Sequence, residues 1–289
     1  MSRATSRKTF AVSGYDLAAT LDSGQAFRWE DLGHSWTAVV NGRWVGLKQT
    51  GNGITARVAQ PVEDWRWLAD YLQVEEDIQA VVATFPEDKP MQAAVAECRG
   101  LRLLKQDVWE CLASFILSSN KQILQIRQMV ARICERFGER VESGDAGAPA
   151  FAFPIAERLA KASEDELREC RLGYRAPYLL GSSRMVADGD VDLSRIREIG
   201  CDAAREELLK LPGVGRKIAD CALLFSCGYQ EAFPIDVWIM KALKELYFAR
   251  KRKVTPKRLQ AFSQDHFGPH GGYAQQYLFH YMRRRAGRV

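Results

Sequence analysis

One segment near the middle of the chain limits its fold and chemistry more than any other. It reads LPGVGRKIADCALLFSCGYQEAFPID from Leu211 to Asp236, and it places a glycine hairpin, one lysine and an aspartate in a single unit. Pro212 and the two glycines interrupt a helix, so they end a preceding amphipathic helix that Asp202 can cap. A second helix should begin near Arg216. The segment therefore predicts two helices joined by a tight turn.

The turn itself consists of Gly213, Val214 and Gly215. Glycine permits a sharp turn because it has no Cβ. The first amides of the second helix have no partners inside that helix, and they favour an anion such as a DNA phosphate. Arg216 adds a full positive charge at the same place. An ordinary turn between two core helices is the alternative interpretation.

Two residues of this unit can carry reaction chemistry. Lys217 lies at the start of the second helix, where the helix dipole and Arg216 disfavour a second positive charge and so favour the nucleophilic neutral amine. Cys221 follows one turn later on the same face. Asp236 can cap the next helix, and its ionised carboxylate can stabilise a developing oxocarbenium ion. For Lys217 the alternative is a surface ion pair with Asp220.

On these residues the segment resembles the helix-hairpin-helix-GPD superfamily of DNA glycosylases. The resemblance implies that Lys217 attacks the sugar C1′ and forms a Schiff base, and that Asp236 assists departure of the base. Some branches bind an iron–sulfur cluster through four cysteines after the aspartate. None of the seven cysteines here follows Asp236, so we expect no cluster and no other cofactor or catalytic metal. A structural cation bound by the hairpin carbonyls, alongside a phosphate, remains compatible with the sequence.

Four further segments between about residues 10 and 285 resemble the 8-oxoguanine DNA glycosylases. In DSGQAFRWE, residues 22–30, the resemblance implies that the Gly24 carbonyl meets the damaged base. In the terminal helix it implies that Gln275 reads the Watson–Crick edge, and that Phe279 stacks on the base opposite Cys221. The alternatives are a buried strand AFRW in the first segment and a core phenylalanine in the second.

Two segments resemble the part of the family that engages the undamaged strand. Asn120, in SSNK, would fill the space of the flipped nucleotide; its alternative is capping a helix that starts at Lys121. Arg175, in LGYRAPYLL, would bind the opposite cytosine; the alternative is a solvated or phosphate-contacting arginine. A second arginine of the family is replaced by Gln125, which predicts a looser preference for cytosine.

Two more positions depart from the family pattern, and both should line the base pocket. Trp238 stands where histidine is frequent, and Phe225 stands where methionine is usual. Bulkier aromatic walls would change the pocket shape or its preference among oxidised purines.

Charge is distributed unevenly along the chain. Residues 1–100 contain 10 Lys and Arg against 13 Asp and Glu, whereas residues 241–289 contain 12 against 2. A basic C-terminal part fits a DNA backbone footprint. Its run RKRK at 250–253 fits equally a nuclear signal or a solvated loop.

The sequence shows no membrane-spanning run and no signal peptide, and its odd number of cysteines favours a reducing intracellular compartment. We expect the cytoplasm or nucleoid in a bacterium and the nucleus in a eukaryote. The partner would be double-stranded DNA containing oxidised guanine, bound by a monomer.

The predicted fold class is α+β. Alternating residues with an Asn-Gly turn at 41–42 predict an N-terminal antiparallel β-sheet with connecting helices in residues 1–100. Helical periodicity dominates afterwards, with a loop at 144–149. By resemblance, residues 101–289 form a two-lobed, mainly α-helical helix-hairpin-helix core with a DNA groove.

The expected function is a bifunctional glycosylase that excises 8-oxoguanine, preferentially opposite cytosine, and nicks the strand by β-elimination in base excision repair. Three alternatives remain from the sequence. They are a lysine-bearing glycosylase for oxidised pyrimidines or other oxidised bases, a non-catalytic DNA-damage sensor, and a monofunctional enzyme.

Overall fold

The N-terminal part is an antiparallel sheet on which short helices pack. A computed structural model describes residues 5–51, 53–144, 148–249 and 254–287. The strands are β1 (Ser6–Ala11), β2 (Glu30–Asp31), β3 (Trp36–Val40), β4 (Arg43–Thr50) and β5 (Gly53–Val58). Their spatial order is β1-β5-β4-β3-β2. Asn41 and Gly42 join β3 to β4 with φ angles of 48° and 72°, so the predicted Asn-Gly hairpin is confirmed.

The inner face of this sheet forms the first of two hydrophobic cores. Val45 is paired with Val58, and Leu47 with Ala56, and all four are fully buried. The proposed strand AFRW is wrong, because residues 26–29 form a loop between the first helix and β2. Trp29 is nevertheless buried in the sheet's core, where its indole nitrogen donates to the Tyr71 hydroxyl at 2.9 Å.

Helices make up most of the rest of the chain. The first four are α1 (Leu17–Asp22), α2 (Arg66–Leu72), α3 (Ile78–Val82) and α4 (Lys89–Glu97). The next five are α5 (Val108–Leu117), α6 (Ile123–Phe137), α7 (Ala156–Ala160), α8 (Glu164–Glu169) and α9 (Ala176–Ala187). The last five are α10 (Cys201–Leu209), α11 (Arg216–Ala222), α12 (Val237–Tyr247), α13 (Pro256–His266) and α14 (Gly271–Arg285). A small hairpin, β6 (Arg140–Val141) and β7 (Ala150–Phe151), lies between α6 and α7.

The helices from α3 onward share the second core, whereas α1 and α2 pack mainly on the sheet, so the predicted α+β class is confirmed. The start of α8 is also as expected, with a reciprocal capping box between Ser163 and Glu166. The start of α10 is not. Gly200, with a φ angle of 83°, holds the cap position, and Asp202 lies inside the first turn, where it pairs with Arg205.

Two predicted features fall wholly or partly outside the described residues. They are the basic run RKRK at 250–253 and positions 145–147 of the predicted loop. Within the described ranges, no helix is both long and apolar enough to cross a membrane. The proposed boundary near residue 100 stays a prediction.

Candidate active site

A deep cleft opens beside the N-terminal end of α11. Its volume is about 1180 Å³, and its walls come from α5, α6, α11, α12, α14 and the loop after α1. The structure brings ten predicted residues to this cleft: Gly24, Asn120, Gln125, Lys217, Cys221, Phe225, Asp236, Trp238, Gln275 and Phe279. Arg175 and the hairpin residues 213–216 are not part of the lining.

Lys217 lies at the wall of the cleft and is half-buried. Its Nζ donates a hydrogen bond to Ser118 Oγ at 3.1 Å and lies 4.8 Å from the centre of the Phe115 ring. The alternative of a surface pair with Asp220 is wrong. The Asp220 carboxylate is buried and accepts from Arg205 Nε at 2.6 Å. The amine is therefore held where a substrate can reach it.

Ser118 is a site residue that the sequence reasoning missed. Its hydroxyl donates to the Phe115 carbonyl at 2.7 Å, so its lone pair is free to accept from Lys217. The only sequence signal was its place in the SSNK motif at the end of α5. Nothing in the sequence indicated that this turn would meet the start of α11, 99 positions later along the chain.

Cys221 is buried one turn after Lys217. Burial raises the pKa of its thiol to about 12, although the neighbouring Lys217 acts in the opposite direction. The thiol is therefore neutral at pH 7 and does not compete with the amine as a nucleophile.

Asp236 caps α12, as predicted. Its Oδ1 accepts from the Ile239 amide at 2.8 Å. Burial raises the pKa of this carboxyl above its usual value. The hydrogen bond from the Ile239 amide and the charge of Lys217 act in the opposite direction. Burial thus opposes the ionised state expected from the cap alone. A carboxylate shielded in part from water interacts strongly with positive charge that develops beside it.

Gly24 and Gln275 form the part of the cleft suited to a planar base. Gly24 has a φ angle of +79°, and a Cβ there would lie 2.6 Å from Ile123 Cδ1 and 3.4 Å from Phe279 Cε1. Only glycine fits without displacing these side chains. Gln275 is 3% exposed, and its Oε1 has no hydrogen-bond partner in the described part of the chain. This acceptor is therefore available to a hydrogen-bond donor that enters the cleft.

Aromatic rings shape the remaining walls. Phe225 is stacked on Phe115, with ring centres 5.6 Å apart and planes 18° apart. Phe279 is half-buried and faces Gly24. Trp238 also lines the cleft, so both positions that depart from the family pattern lie where they were predicted.

Asn120 is exposed at the rim of the cleft, in the turn between α5 and α6. The capping alternative is wrong, because α6 begins at Ile123 with Gln122 as its cap. Asn120 instead has a φ angle of 53°, and its Nδ2 donates to the Tyr174 hydroxyl at 3.4 Å. Gln125 is exposed in the first turn of α6, where its Oε1 accepts from the Gln122 amide at 3.2 Å.

Arg175 is only 3% exposed, so the alternative of a solvated arginine is wrong. Its Nε donates to the Ser119 carbonyl at 3.0 Å, and its Nη1 donates to the Leu172 carbonyl at 3.3 Å. The guanidinium also lies 4.2 Å from the centre of the Tyr174 ring. Its role towards a cytosine stays a prediction.

Tyr174 is a second residue that the sequence reasoning missed. It is 49% exposed, an unusual state for a large aromatic, and it contacts Asn120. Both tyrosines of LGYRAPYLL are exposed, and the sequence does not show that Tyr174 is the one that contacts Asn120.

The hairpin is the tight turn that the sequence predicted, and phosphate binding there stays a prediction. Gly213 has a φ angle of +76°, and a Cβ there would lie 2.7 Å from Tyr178. Val214 is buried, and Gly215 occupies the cap position of α11, where it offers no side chain to the first amides. Arg216 is partly exposed beside them. Within the described residues, no group of three His, Cys, Asp or Glu side chains is placed to hold a metal ion.

Two family models match the chain. Residues 9–112 match the N-terminal domain of 8-oxoguanine DNA glycosylase, and residues 113–267 match the HhH-GPD superfamily of base excision DNA repair proteins. The chain belongs to the 8-oxoguanine DNA glycosylase family of this superfamily.

Relatives of the family agree over most of their length. A probable N-glycosylase/DNA lyase of Methanothermobacter thermautotrophicus is 34% identical over 70% of this chain and 69% of its own. The N-glycosylase/DNA lyase OGG1 of Arabidopsis thaliana is 31% identical over 91% of this chain and 76% of its own.

A solved structure of this glycosylase family has a closely similar fold. It is the Clostridium acetobutylicum 8-oxoguanine glycosylase/lyase with double-stranded DNA containing cytosine opposite to 8-oxoG. It matches with a TM-score of 0.91 at 30% identity, covering 98% of both chains.

Proposed function

We propose that this chain is a bifunctional DNA glycosylase that releases 8-oxoguanine and then cuts the strand at the resulting abasic site. The carrying observation is the Lys217 amine, held by Ser118 at 3.1 Å in the same cleft as the half-buried Asp236 carboxyl. A nucleophilic amine beside a carboxylate is what Schiff-base chemistry at a sugar carbon requires.

The reaction begins at C1′ of the flipped nucleotide. Once its ammonium group has given up a proton, the Lys217 nitrogen uses its lone pair to form a bond to C1′, and the glycosidic bond breaks with its electron pair leaving on the base, which takes up a proton. Asp236 stabilises the positive charge that develops on the sugar. The lysine nitrogen then loses a proton and its lone pair forms the C1′=N bond, while the C1′–O4′ bond breaks with its electron pair on the ring oxygen, which takes up a proton. Removal of a C2′ proton then expels the 3′ phosphate oxygen and cuts the strand.

Hydrogen-bonding groups in the pocket select the oxidised base. Oxidation at C8 converts guanine N7 from an acceptor into an N–H donor. A carbonyl from Gly24 accepts that proton and repels the N7 lone pair of normal guanine, a discrimination of about 1–3 kcal/mol. The unpartnered Gln275 oxygen matches the N1 and N2 donors on the Watson–Crick edge of guanine. Phe279 and Cys221 would then enclose the ring.

The rim of the cleft meets the opposite strand. Asn120 occupies the space of the flipped nucleotide, and Arg175 braces the turn that presents it through the Ser119 carbonyl. With Gln125 in place of a second arginine, the preference for cytosine is weaker than in a site with two. The hairpin amides and Arg216 hold the backbone, and binding weakens with salt. The enzyme acts as an intracellular monomer without a cofactor.

Borohydride trapping tests this function directly. The wild type and Lys217→Gln are incubated with duplexes that carry 8-oxoguanine opposite each of the four bases. We expect a covalent adduct strongest opposite cytosine and absent in the variant. Lys210→Gln is the control, because that lysine is exposed and paired with Glu207 at 2.7 Å.

The other outcomes separate the alternatives. Base release without an adduct would make the enzyme monofunctional. Neither adduct nor release would contradict the substrate, and a panel of oxidised pyrimidines would then distinguish a different lesion from a sensor that binds without turnover.

A further inference from the structure

The loop after α1 carries Gly24 into the cleft, and its position there cannot come from its own backbone. Gly24 has the left-handed φ angle of +79°, a region that glycine enters and leaves easily. Because the loop has no regular secondary structure from Ser23 to Trp29, tertiary contacts must hold Gly24 against Phe279.

Asp22, two positions before Gly24, makes such contacts with two arginines on other helices. The Asp22 carboxylate accepts from Arg127 Nη2 of α6 at 2.7 Å. The Asp22 carbonyl accepts from Arg283 Nη1 of α14 at 3.3 Å. We call Asp22, Arg127 and Arg283 the Asp22 bridge. It joins the end of α1 to the two helices that contribute Ile123 and Phe279 to the cleft.

Arg283 connects this bridge to the base pocket. Its guanidinium carbon lies 5.5 Å from the centre of the Phe279 ring, within the range of a cation–π contact. Its Nη1 would also lie 3.6 Å from a Cβ on Gly24. The same arginine therefore contacts both the loop and the aromatic ring that would stack on the base.

We propose that Asp22 is a positioning residue for recognition of the damaged base, acting through Arg127 and Arg283 on the separation of Gly24 and Phe279. The inference rests on the proposed function. In the described part of the chain, Lys217 has no hydrogen bond or ion pair with Asp22 or Arg127, so these two residues affect selection and release of the base rather than the chemistry at the sugar. Arg283 also acts electrostatically on Asp236, and it is therefore left unchanged in the test. A displacement of about 1 Å in a binding wall is enough to cost a large factor in rate.

An ordinary surface ion pair would not have this effect. Exposed pairs contribute little because solvent screens them. Arg127 and Asp22 are only 27% and 33% exposed, and they belong to different elements 105 positions apart along the chain. Their contact therefore acts together with the tertiary hydrogen bonds of Ser23 and Gln25, which hold the loop on either side of Gly24.

The test compares two reactions of the same protein. Single-turnover release of 8-oxoguanine needs the base pocket, whereas cutting of a preformed abasic site needs only Lys217 chemistry. Asp22→Asn, Arg127→Gln and the double variant are measured in both assays. Asp64→Asn is the control, because it breaks an exposed pair with Arg66 outside the cleft.

We expect base release to fall about tenfold in each single variant, while abasic-site cutting stays within about twofold of the wild type. The double variant should be no slower than the singles, since both remove the same contact. Unchanged base release would overturn the inference, and so would an equal loss of both activities, which indicates general damage. A wild type that cuts abasic sites but releases no 8-oxoguanine would overturn the proposed function as well.

Discussion

Asp220 lies beneath the hairpin, and its replacement by asparagine tests how the two hairpin helices are held together. The carboxylate is 2% exposed, and the Arg205 side chain is 7% exposed. Arg205 Nε lies 2.6 Å from Asp220 Oδ1, which joins α10 to α11. Asparagine keeps the size of the side chain and removes its charge.

The structure gives the magnitude of the effect. Removing one partner of a buried ion pair costs about 3–5 kcal/mol, because the other charge stays buried without compensation. Arg205 also pairs with Asp202, whose side chain is 94% exposed. This second partner still compensates part of the Arg205 charge, so the loss of unfolding free energy is smaller. We therefore expect the lower end, about 3 kcal/mol of unfolding free energy. For a chain of this size, that corresponds to a melting temperature lower by about 6–12 °C.

Thermal unfolding followed by circular dichroism measures this difference. The control is Glu164→Gln, which breaks an exposed pair with Arg168 on α8 and should cost about 0.5 kcal/mol or less. Asp220→Asn melting within about 2 °C of the wild type would refute the reasoning. The pair would then contribute no more than the exposed one.

Two further predictions concern the cleft. Gly24→Ala should reduce 8-oxoguanine release by about tenfold or more, because a Cβ would lie 2.6 Å from Ile123 Cδ1, while the left-handed backbone costs only about 1–2 kcal/mol of stability. Asp236→Asn should become more stable relative to the wild type as pH rises. Burial raises the pKa of Asp236 in the folded state above its pKa in the unfolded state. The wild type therefore has its full stability below the unfolded-state pKa and loses part of it as pH rises through the folded-state pKa, whereas asparagine does not titrate.

Both predictions have internal controls. Gly33→Ala carries the same backbone strain, with a φ angle of +81°, but its Cβ would meet nothing within 4 Å, so release of the base should be unaffected. Equal activity losses in the two glycine variants would contradict the close-contact argument. Urea unfolding between pH 4 and pH 8 checks Asp236→Asn; a difference from the wild type that does not change with pH would contradict the effect of burial.

The sequence alone determined the features that depend on neighbours along the chain. The Asn-Gly turn, the capping box of α8, the hairpin before α11 and the cap at Asp236 all follow from backbone preferences and hydrogen bonds within a few residues. The Lys217 and Asp236 spacing also indicated the chemistry, because one compact unit carries both groups.

Only the tertiary structure decided how distant segments meet. AFRW has the composition of a strand, yet burial of Trp29 against Tyr71 holds it as a loop. The sequence left open whether Arg175 binds the opposite cytosine or is solvated, and the structure holds it in the interior, where its Nε donates to the Ser119 carbonyl. The contact of Ser118 with Lys217 joins residues 99 positions apart. Such contacts depend on how helices pack around a shared core, and no local pattern encodes that packing.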